Sequence, residues 1–202
     1  TIYKVPKIKY KKEEVLWKWI ARHHGEAGGI EMKPVASYGR GIVSSENFVK
    51  GEEVAIISRK CIMRAGLTIR ESTHCAMLYE AWTADKSGNI MKQKSHQTVE
   101  KVLISIFLLE EKLKGKSSFF HPYIDMLPPT VEYVPVTWTA VEVENWFQGS
   151  YMVQAIRNRR SEFHSEFHEG VLSVLPQLRH RRGFAFEDFV WARIILATRA
   201  FR

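Results

Sequence analysis

Cysteine is scarce in this chain of 202 residues, which contains only Cys61 and Cys75. Because the two do not form a CxxC pair, the closely spaced ligands of a structural zinc site are missing. Nothing in their spacing requires a disulfide, so a reduced intracellular protein is the simplest interpretation. Long apolar runs are also missing: no stretch approaches the roughly 20 residues of a membrane-spanning helix, and we expect no membrane partner.

Several ligand-binding signatures are absent as well. The sequence has no GxGxxG motif opening a helix and no GxxxxGK[ST] motif, which argues against Rossmann and P-loop folds. It has no helix-turn-helix, zinc-finger or RNP signature either. His164 and His168 have the spacing of helical zinc ligands, but Ser165 rather than Glu follows His164 and a third ligand is missing. We interpret the pair as a solvated helix face and expect no metal.

The chain is basic, with a formal net charge of +8 and a pI of about 9.5. Basic residues cluster in the segments Lys4–Lys12, Arg157–Arg160 and Arg179–Arg182. Solvated surfaces explain such clusters most simply, and contact with an acidic protein or with nucleic acid is the alternative. A basic helical domain that binds nucleic acid is therefore one hypothesis, but because no motif supports it, nucleic acid is not the expected partner.

The amino-terminal residues give no information about a targeting signal. Thr1 is not a natural start, so we expect the amino terminus to be trimmed. A targeting segment upstream would then be invisible. The expected location is intracellular, in the cytoplasm or nucleus, and targeting to an organelle is compatible with the sequence.

The first periodic segment, residues 12–24, predicts a helix. Its apolar residues Val15, Leu16, Trp19 and Ile20 form one stripe, with glutamates in the first turn and Arg22–His24 in the last. Gly25 follows at the place where a left-handed C-cap residue is expected.

Short β-branched runs separated by glycine turns come next. The runs are Ile30–Val35, Ile42–Ser45, Val54–Ser58 and Cys61–Met63, and the turns are Gly39-Arg40-Gly41 and Lys50-Gly51-Glu52. This pattern predicts a small twisted β region.

From about residue 67 onward the periodicity is helical. Apolar residues from Val99 to Leu113 recur every three or four residues, and Gly115 closes that helix. Thr139–Glu142 has the form of a capping box. Further helices are predicted for Ser150–Leu175, which ends before Pro176, and for Phe186–Phe201. The predicted fold class is α+β: a small twisted β region followed by an all-α block.

Several motifs occur in a fixed order along the chain. They are Gly39-Arg40-Gly41-Ile42, Lys50-Gly51-Glu52-Glu53-Val54, Leu108-Leu109-Glu110-Glu111-Lys112, the segment Phe119–Pro128, Trp138 with Glu142, Gly149-Ser150, Phe186–Ala192 and Thr198-Arg199-Ala200-Phe201. The series resembles the SET-domain family that includes the Rubisco large-subunit lysine methyltransferase and the actin histidine methyltransferase. The PYIDMLP segment and the WAR…TRAF helix are its most specific parts, and the resemblance covers about residues 30 to 202.

The resemblance implies the amino-terminal half of a SET fold with a helical insertion. It divides the chain into an amino-terminal basic segment and helix (1–28), the first part of the SET domain (29–94) and the insertion (95–202). It places S-adenosylmethionine against the two-glycine turn, with Tyr38, Gly39, Arg40 and Gly41 around it. Removal of two Cβ atoms there would allow close backbone approach and positive φ. Relatives carry an acidic residue at the position of Tyr38, which puts the strength of cofactor binding in doubt.

The resemblance also implies residues that bind cofactor and substrate. Arg199 corresponds to an arginine that contacts cofactor or a substrate carboxylate, and its bidentate donors suit that task. Near the end of its helix the same cation would also complement the helix dipole. Tyr123 belongs to the Phe119–Pro128 segment, which is expected to form one wall of the groove for a protein substrate.

The activity implied is methyl transfer from S-adenosylmethionine to a protein nitrogen, with lysine as the acceptor and histidine as the alternative. Catalytic residues are expected beyond residue 202, in a second SET half on the same or another chain. Uncovered strand edges and apolar surface are then expected of the chain alone, which we predict to be inactive by itself. A catalytically silent SET-like module that binds protein partners is the competing hypothesis.

Overall fold

The computed structural model describes residues 11–34, 40–84 and 88–200. These residues form two compact units. The strand unit comprises the described residues up to Met63 together with Gly115–Leu127, and the helical unit comprises Arg64–Lys114 and the residues from Pro128 onward. Antiparallel strand pairs and helices occur together, which confirms the predicted α+β class. The domain boundaries after residues 28 and 94 stay a prediction.

Helix α1, Lys11–Arg22, opens the described part of the strand unit and has Glu13 and Glu14 in its first turn, as predicted. Three residues of the predicted stripe, Leu16, Trp19 and Ile20, are buried, but Trp17 takes the place of Val15 on the buried face. Val15 is 47% exposed, whereas Trp17 is only 6% exposed and lies beside buried Leu16 and Ile20. Leu16 and Ile20 belong to both possible faces, and burying the Trp17 indole removes more apolar surface from water than burying a valine does.

Helix α1 ends in a Schellman motif, and the left-handed residue is His24, with φ 63°, rather than Gly25. The Gly25 N–H donates to the Ile20 carbonyl and the His24 N–H to the Ala21 carbonyl. Gly25 is required for a different reason. A Cβ at this position would lie 2.4 Å from Ile20 Cγ2 and 2.8 Å from the Ile56 carbonyl oxygen.

We expect Gly25→Ala to lower the free energy of unfolding by about 1–3 kcal/mol, because overpacking against Ile20 and a strand carbonyl forces the backbone to move. His24→Gly is the matched variant and should be neutral or mildly stabilising, since it relieves the left-handed conformation of a side-chain-bearing residue. Urea unfolding curves measure both effects. An unchanged midpoint for Gly25→Ala would contradict the tight fit.

Among the described residues of the strand unit, two strand pairs follow α1, and both are antiparallel. Strand β1 (Glu26–Ala27) pairs with β4 (Ala55–Ile56), and β2 (Ile30–Pro34) pairs with β3 (Arg40–Ser44). The strand predicted at Cys61–Met63 is wrong: Arg59–Cys61 is a 3₁₀ turn, begun by Ser58, whose side chain accepts a bond from the Lys60 N–H. Such local side-chain bonds compete with a strand ladder.

The short helix α5, His121–Ile124, also belongs to the strand unit. Lys12 Nζ of α1 lies 2.9 Å from the Asp125 carboxylate just after α5. Nearby, the rings of Trp19 and Phe119 meet edge to face with centroids 5.4 Å apart. An exposed ion pair contributes little, so the aromatic contact is the main force that joins these segments.

The helical unit is organised around two long apolar helices. Helix α4, His96–Lys114, packs against α8, Phe186–Arg199, and both are buried over most of their circumference. Helices α2 (Ala65–Glu71), α3 (Thr73–Thr83) and α6 (Ala140–Phe147) are shorter. The predicted helix closure at Gly115, with φ 55°, and the capping box of Thr139 and Glu142 are confirmed. No helix in the described ranges is both long and apolar enough to cross a membrane.

The helix predicted for Ser150–Leu175 is divided. Helix α7 runs over Tyr151–Ser165 and a π-helical turn follows at Glu166–Val171. Near the end of this turn, Trp82 Nε1 and Asn89 Nδ2 donate to the Gly170 carbonyl at 3.3 and 3.1 Å. These bonds come from other parts of the chain and hold the turn in place. Pro176 then opens the 3₁₀ turn Pro176–His180.

Candidate functional site

The residues predicted to bind cofactor at the two-glycine turn are described only in part. Tyr38 and Gly39 lie outside the described residues. Arg40 and Gly41 begin β3, where Gly41 pairs with Lys33 of β2. Gly41 is an extended strand residue, so the positive φ expected for it is wrong. Glycine at this position leaves the start of β3 without a Cβ atom.

Arg199 occupies the last turn of α8, as predicted, and is exposed. A cation in this position complements the negative end of the helix dipole. Its Nη1 donates to Thr198 Oγ1 at 2.6 Å. Within the described ranges no carboxylate pairs with it, so the guanidinium is available to an anionic group.

Tyr123 lies on α5 and is half-buried, and its backbone N–H donates to the Phe120 carbonyl. It belongs with Gly41 to the strand unit, whereas Arg199 belongs to the helical unit. The convergence of Gly41, Tyr123 and Arg199 on one pocket therefore stays a prediction. Cys61 and Cys75 are free thiols, and burial raises the pKa of Cys75 to about 12, which leaves that thiol unreactive.

A cavity of about 750 Å³ lies in the helical unit. We call it the α7–α8 cavity, because α7 and the first half of α8 form two of its walls. Residues 129–138 form a third wall, and Lys112 at the end of α4 completes it. Sequence reasoning missed this site. Its lining comes from four separate segments, and only the arrangement of the helices brings them together.

Two indole hydrogen bonds fix aromatic walls of the cavity. Trp138 Nε1 donates to the Glu132 carbonyl at 2.7 Å, and Trp191 Nε1 donates to the Pro128 carbonyl at 2.9 Å. Trp138 also stacks on Phe147, with ring centroids 5.9 Å apart. Because each indole donates to a backbone carbonyl, the ring faces are preorganised.

The charged side chains at the cavity differ in whether they already interact with other residues. Lys112 Nζ lies 3.8 Å from the centre of the Trp191 ring, and Arg160 Nε donates to the Val136 carbonyl at 2.9 Å. Asp188 accepts a bond from the Ala185 N–H at the start of α8. Glu132 and Glu187 are exposed, and neither carboxylate has a partner among the described residues.

A buried ion pair joins the π-helical turn to α8. Arg193 donates to both oxygens of Glu166, at 3.0 and 3.2 Å, and both side chains are buried. Burial raises the pKa of Glu166, and the Arg193 guanidinium opposes that rise. Arg193 also lies 5.2 Å from the ring centre of Phe163, which lines the cavity. The pair is a structural support next to the site.

His164 and His168 face each other across one helical turn, with ring centroids 4.2 Å apart. His164 is exposed as predicted, whereas His168 is half-buried against Phe167 and Phe186. Burial lowers the pKa of His168, and the neighbouring His164 and Arg179 add to the effect. In the part of the chain that the structure describes, no group of three or more His, Cys, Asp or Glu side chains is placed to hold a metal ion.

Comparison of the sequence with protein-family models finds no match, and no curated protein matches it. Comparison of the structure with solved structures gives clear matches. The SET domain of LSMT bound to lysine and AdoHcy superposes with a TM-score of 0.70 at 17% identity. The structure of Rubisco LSMT bound to AdoMet superposes with a TM-score of 0.69 at 16% identity.

Each superposition covers 96% of this chain and 41% of the solved chain. The chain therefore spans less than half the length of the proteins it matches. At this level of identity the likeness establishes the fold. The small antiparallel strand pairs followed by helices are those of a SET-domain structure, and this chain has the fold of part of a SET domain.

Proposed function

We propose that this chain supplies the amino-terminal part of the catalytic domain of an S-adenosylmethionine-dependent protein methyltransferase. The observation that carries the proposal is the superposition over 96% of the chain on a SET domain bound to lysine and AdoHcy. Fold alone does not fix function, so residues suited to the ligands are also required. We propose residues 29–94 as the first part of the SET domain and residues 95–202 as its helical insertion.

The described residues fit an S-adenosylmethionine site at two positions. Gly41 presents a strand backbone without a Cβ, which permits close approach of a bulky ligand. Arg199 presents an exposed guanidinium that pairs with no carboxylate of the described chain, and it suits the carboxylate of an amino-acid moiety. Tyr38, Gly39 and Arg40 complete the proposed cofactor site, and Arg199 and Tyr123 the proposed substrate contacts.

The bound cofactor would supply a methyl group on a positively charged sulfonium. The contribution of this chain is to bind and orient the reactants and to exclude water, which accounts for much of the rate of such a transfer. The acceptor is proposed to be a lysine, with histidine as the alternative. A lysine must lose its proton before attack, and desolvation lowers its pKa in the required direction.

We further propose that transfer requires a carboxyl-terminal SET half, on the same or another chain. The support is that this chain corresponds to 41% of each matching protein. A silent SET-like module that binds proteins would keep the fold and lack the transfer. The two functions differ in one measurable property, which is the appearance of labelled methyl groups on protein.

We expect the natural polypeptide carrying this chain to bind S-adenosylhomocysteine in calorimetry and to transfer tritiated methyl groups to protein. Gly41→Val should weaken cofactor binding by at least about tenfold, because a branched side chain enters the space of the ligand. Valine is favoured in strands, so β3 itself should tolerate it. Gly88→Val is the control, since a Cβ at Gly88 meets nothing within 4 Å.

Amino-acid analysis of the labelled product distinguishes methyl-lysine from methyl-histidine. Cofactor binding without transfer would favour the silent module. Failure of the natural polypeptide to bind S-adenosylmethionine or S-adenosylhomocysteine would refute the proposed function.

A further inference from the structure

We propose that the α7–α8 cavity binds a basic segment of a protein ligand. Lysine or arginine side chains of that segment would be neutralised by Glu132 and Glu187, and its apolar parts would contact the aromatic walls. The inference goes beyond the proposed methyl transfer, because such binding needs neither cofactor nor a second SET half. If the proposed function holds, the same site would help to hold a substrate protein.

The size of the cavity favours a peptide segment over a single small ion. Its volume of about 750 Å³ lies in the upper part of the range of roughly 300–1,000 Å³ that ligand pockets occupy. One ammonium group would leave most of this space empty. Several side chains of an extended segment would fill it.

The charges at the cavity oppose the charge of the molecule. The chain carries a net charge of +8, yet the cavity has three carboxylates, on Glu132, Glu187 and Asp188, against the cations Lys112 and Arg160. Both cations are engaged, Lys112 by the Trp191 ring and Arg160 by a backbone carbonyl. Three carboxylates against two cations leave one net negative charge, so a positively charged ligand meets a site opposite in sign to the molecule as a whole.

The three carboxylates at the cavity differ in whether they already accept a hydrogen bond. Asp188 already accepts the Ala185 N–H. Glu132 and Glu187 have no hydrogen bond or ion pair to any described side chain, and both line the cavity. Incoming cations would thus gain counter-charges without breaking an existing ion pair of the protein.

The aromatic walls add a second kind of attraction. Lys112 over the face of Trp191 shows that a cation is accommodated against an aromatic ring in this cavity. Trp138 is only half-buried, and its indole is fixed by the bond to the Glu132 carbonyl. A ring held in place before binding loses little conformational entropy when a ligand packs on it.

An acidic ligand fits poorly. A nucleic acid or an acidic peptide would bring negative charge to Glu132 and Glu187. The arginines Arg179, Arg181 and Arg182 do not line the cavity, and the two cations that do, Lys112 and Arg160, are outnumbered by three carboxylates. Charge thus selects a basic occupant.

The test is binding of three labelled peptides of the same length to the natural polypeptide carrying this chain, without cofactor. The first has the order Lys-Leu-Lys-Gly repeated, the second has glutamine for every lysine, and the third has glutamate. We expect the lysine peptide to bind, the glutamine peptide to bind at least about fivefold more weakly, and the glutamate peptide weakest. Affinity for the lysine peptide should fall as salt is raised.

Variants connect the binding to the cavity. Glu132→Gln combined with Glu187→Gln should weaken binding of the lysine peptide by at least about threefold, the effect of losing two exposed ion pairs. Glu80→Gln is the matched control, because Glu80 is exposed on α3 of the same unit and does not line the cavity. Equal binding of the lysine and glutamate peptides, or an unchanged affinity in the double variant, would overturn the proposal.

Nuclear magnetic resonance locates the peptide independently of any substitution. The indole N–H signals of Trp138 and Trp191 should shift on titration with the lysine peptide, since both rings face the cavity. The signal of Trp82, which is buried against Gly170 outside the lining, should stay in place. Binding that leaves Trp138 and Trp191 unshifted would place the peptide elsewhere and refute the assignment. Neither experiment depends on methyl transfer, so its failure is distinct from failure of the proposed function.

Discussion

Replacing Arg193 by methionine is expected to lower the free energy of unfolding by about 3–5 kcal/mol, because it leaves a buried carboxylate without its counter-charge. Arg193 is the bidentate partner of Glu166, and both are buried. Methionine keeps much of the volume and removes the charge. Urea unfolding at neutral pH measures the loss.

The cost should depend on pH in a defined direction. Burial already raises the pKa of Glu166 above its usual value, and Arg193 opposes that rise. Without Arg193 the pKa in the folded state rises further. The folded state then binds more protons than the unfolded state between the two pKa values, so stability falls as pH increases through that window. The difference between variant and wild type should therefore shrink as the pH is lowered through the raised folded-state pKa of Glu166, because the buried carboxyl is then protonated and carries no unpaired charge.

Two further variants separate the buried pair from a general loss of charge. Arg159→Met removes an exposed ion pair with Glu162 and should cost no more than about 1 kcal/mol. Combining Arg193→Met with Glu166→Met should recover much of the loss, since no uncompensated charge stays buried. The interpretation is wrong if Arg193→Met costs no more than Arg159→Met.

Local signals in the sequence predict the elements that local forces determine. The capping box at Thr139 and Glu142, the closure of α4 at Gly115 and the apolar surface of α8 are all confirmed. Each of these features depends on residues within a few positions of one another, so the local residue pattern predicts it directly.

The sequence-based predictions fail where residues that are distant in the sequence determine the local structure. The π-helical turn is held at Gly170 by Trp82 and Asn89, which are 88 and 81 residues away in the sequence. The face of α1 depends on what Trp17 packs against, and periodicity placed Val15 rather than Trp17 on the buried stripe. In the same way, the α7–α8 cavity has no sequence signature, because four separated segments line it. The cofactor residues at the two-glycine turn were identified by resemblance, and they stay a prediction.

Phe163 is the side chain through which the cavity and the buried ion pair are connected. Its ring is 5% exposed and lines the cavity, and the Arg193 guanidinium packs on it. Phe163→Ala is expected to lower the free energy of unfolding by about 3–5 kcal/mol, from lost apolar contact and the void that remains. Phe163→Leu should cost much less, because it keeps most of the volume.

The two variants also separate stability from recognition. Phe163→Leu leaves Glu132, Glu187 and Trp138 in place, so it should bind the lysine peptide with nearly wild-type affinity. Phe163→Ala removes the ring on which the Arg193 guanidinium packs and enlarges the cavity beside it. Chemical denaturation and peptide titration of the same two proteins measure both quantities. Equal stability of the two variants would show that the ring is not part of the core that holds Arg193, and the cavity would then be independent of the ion pair.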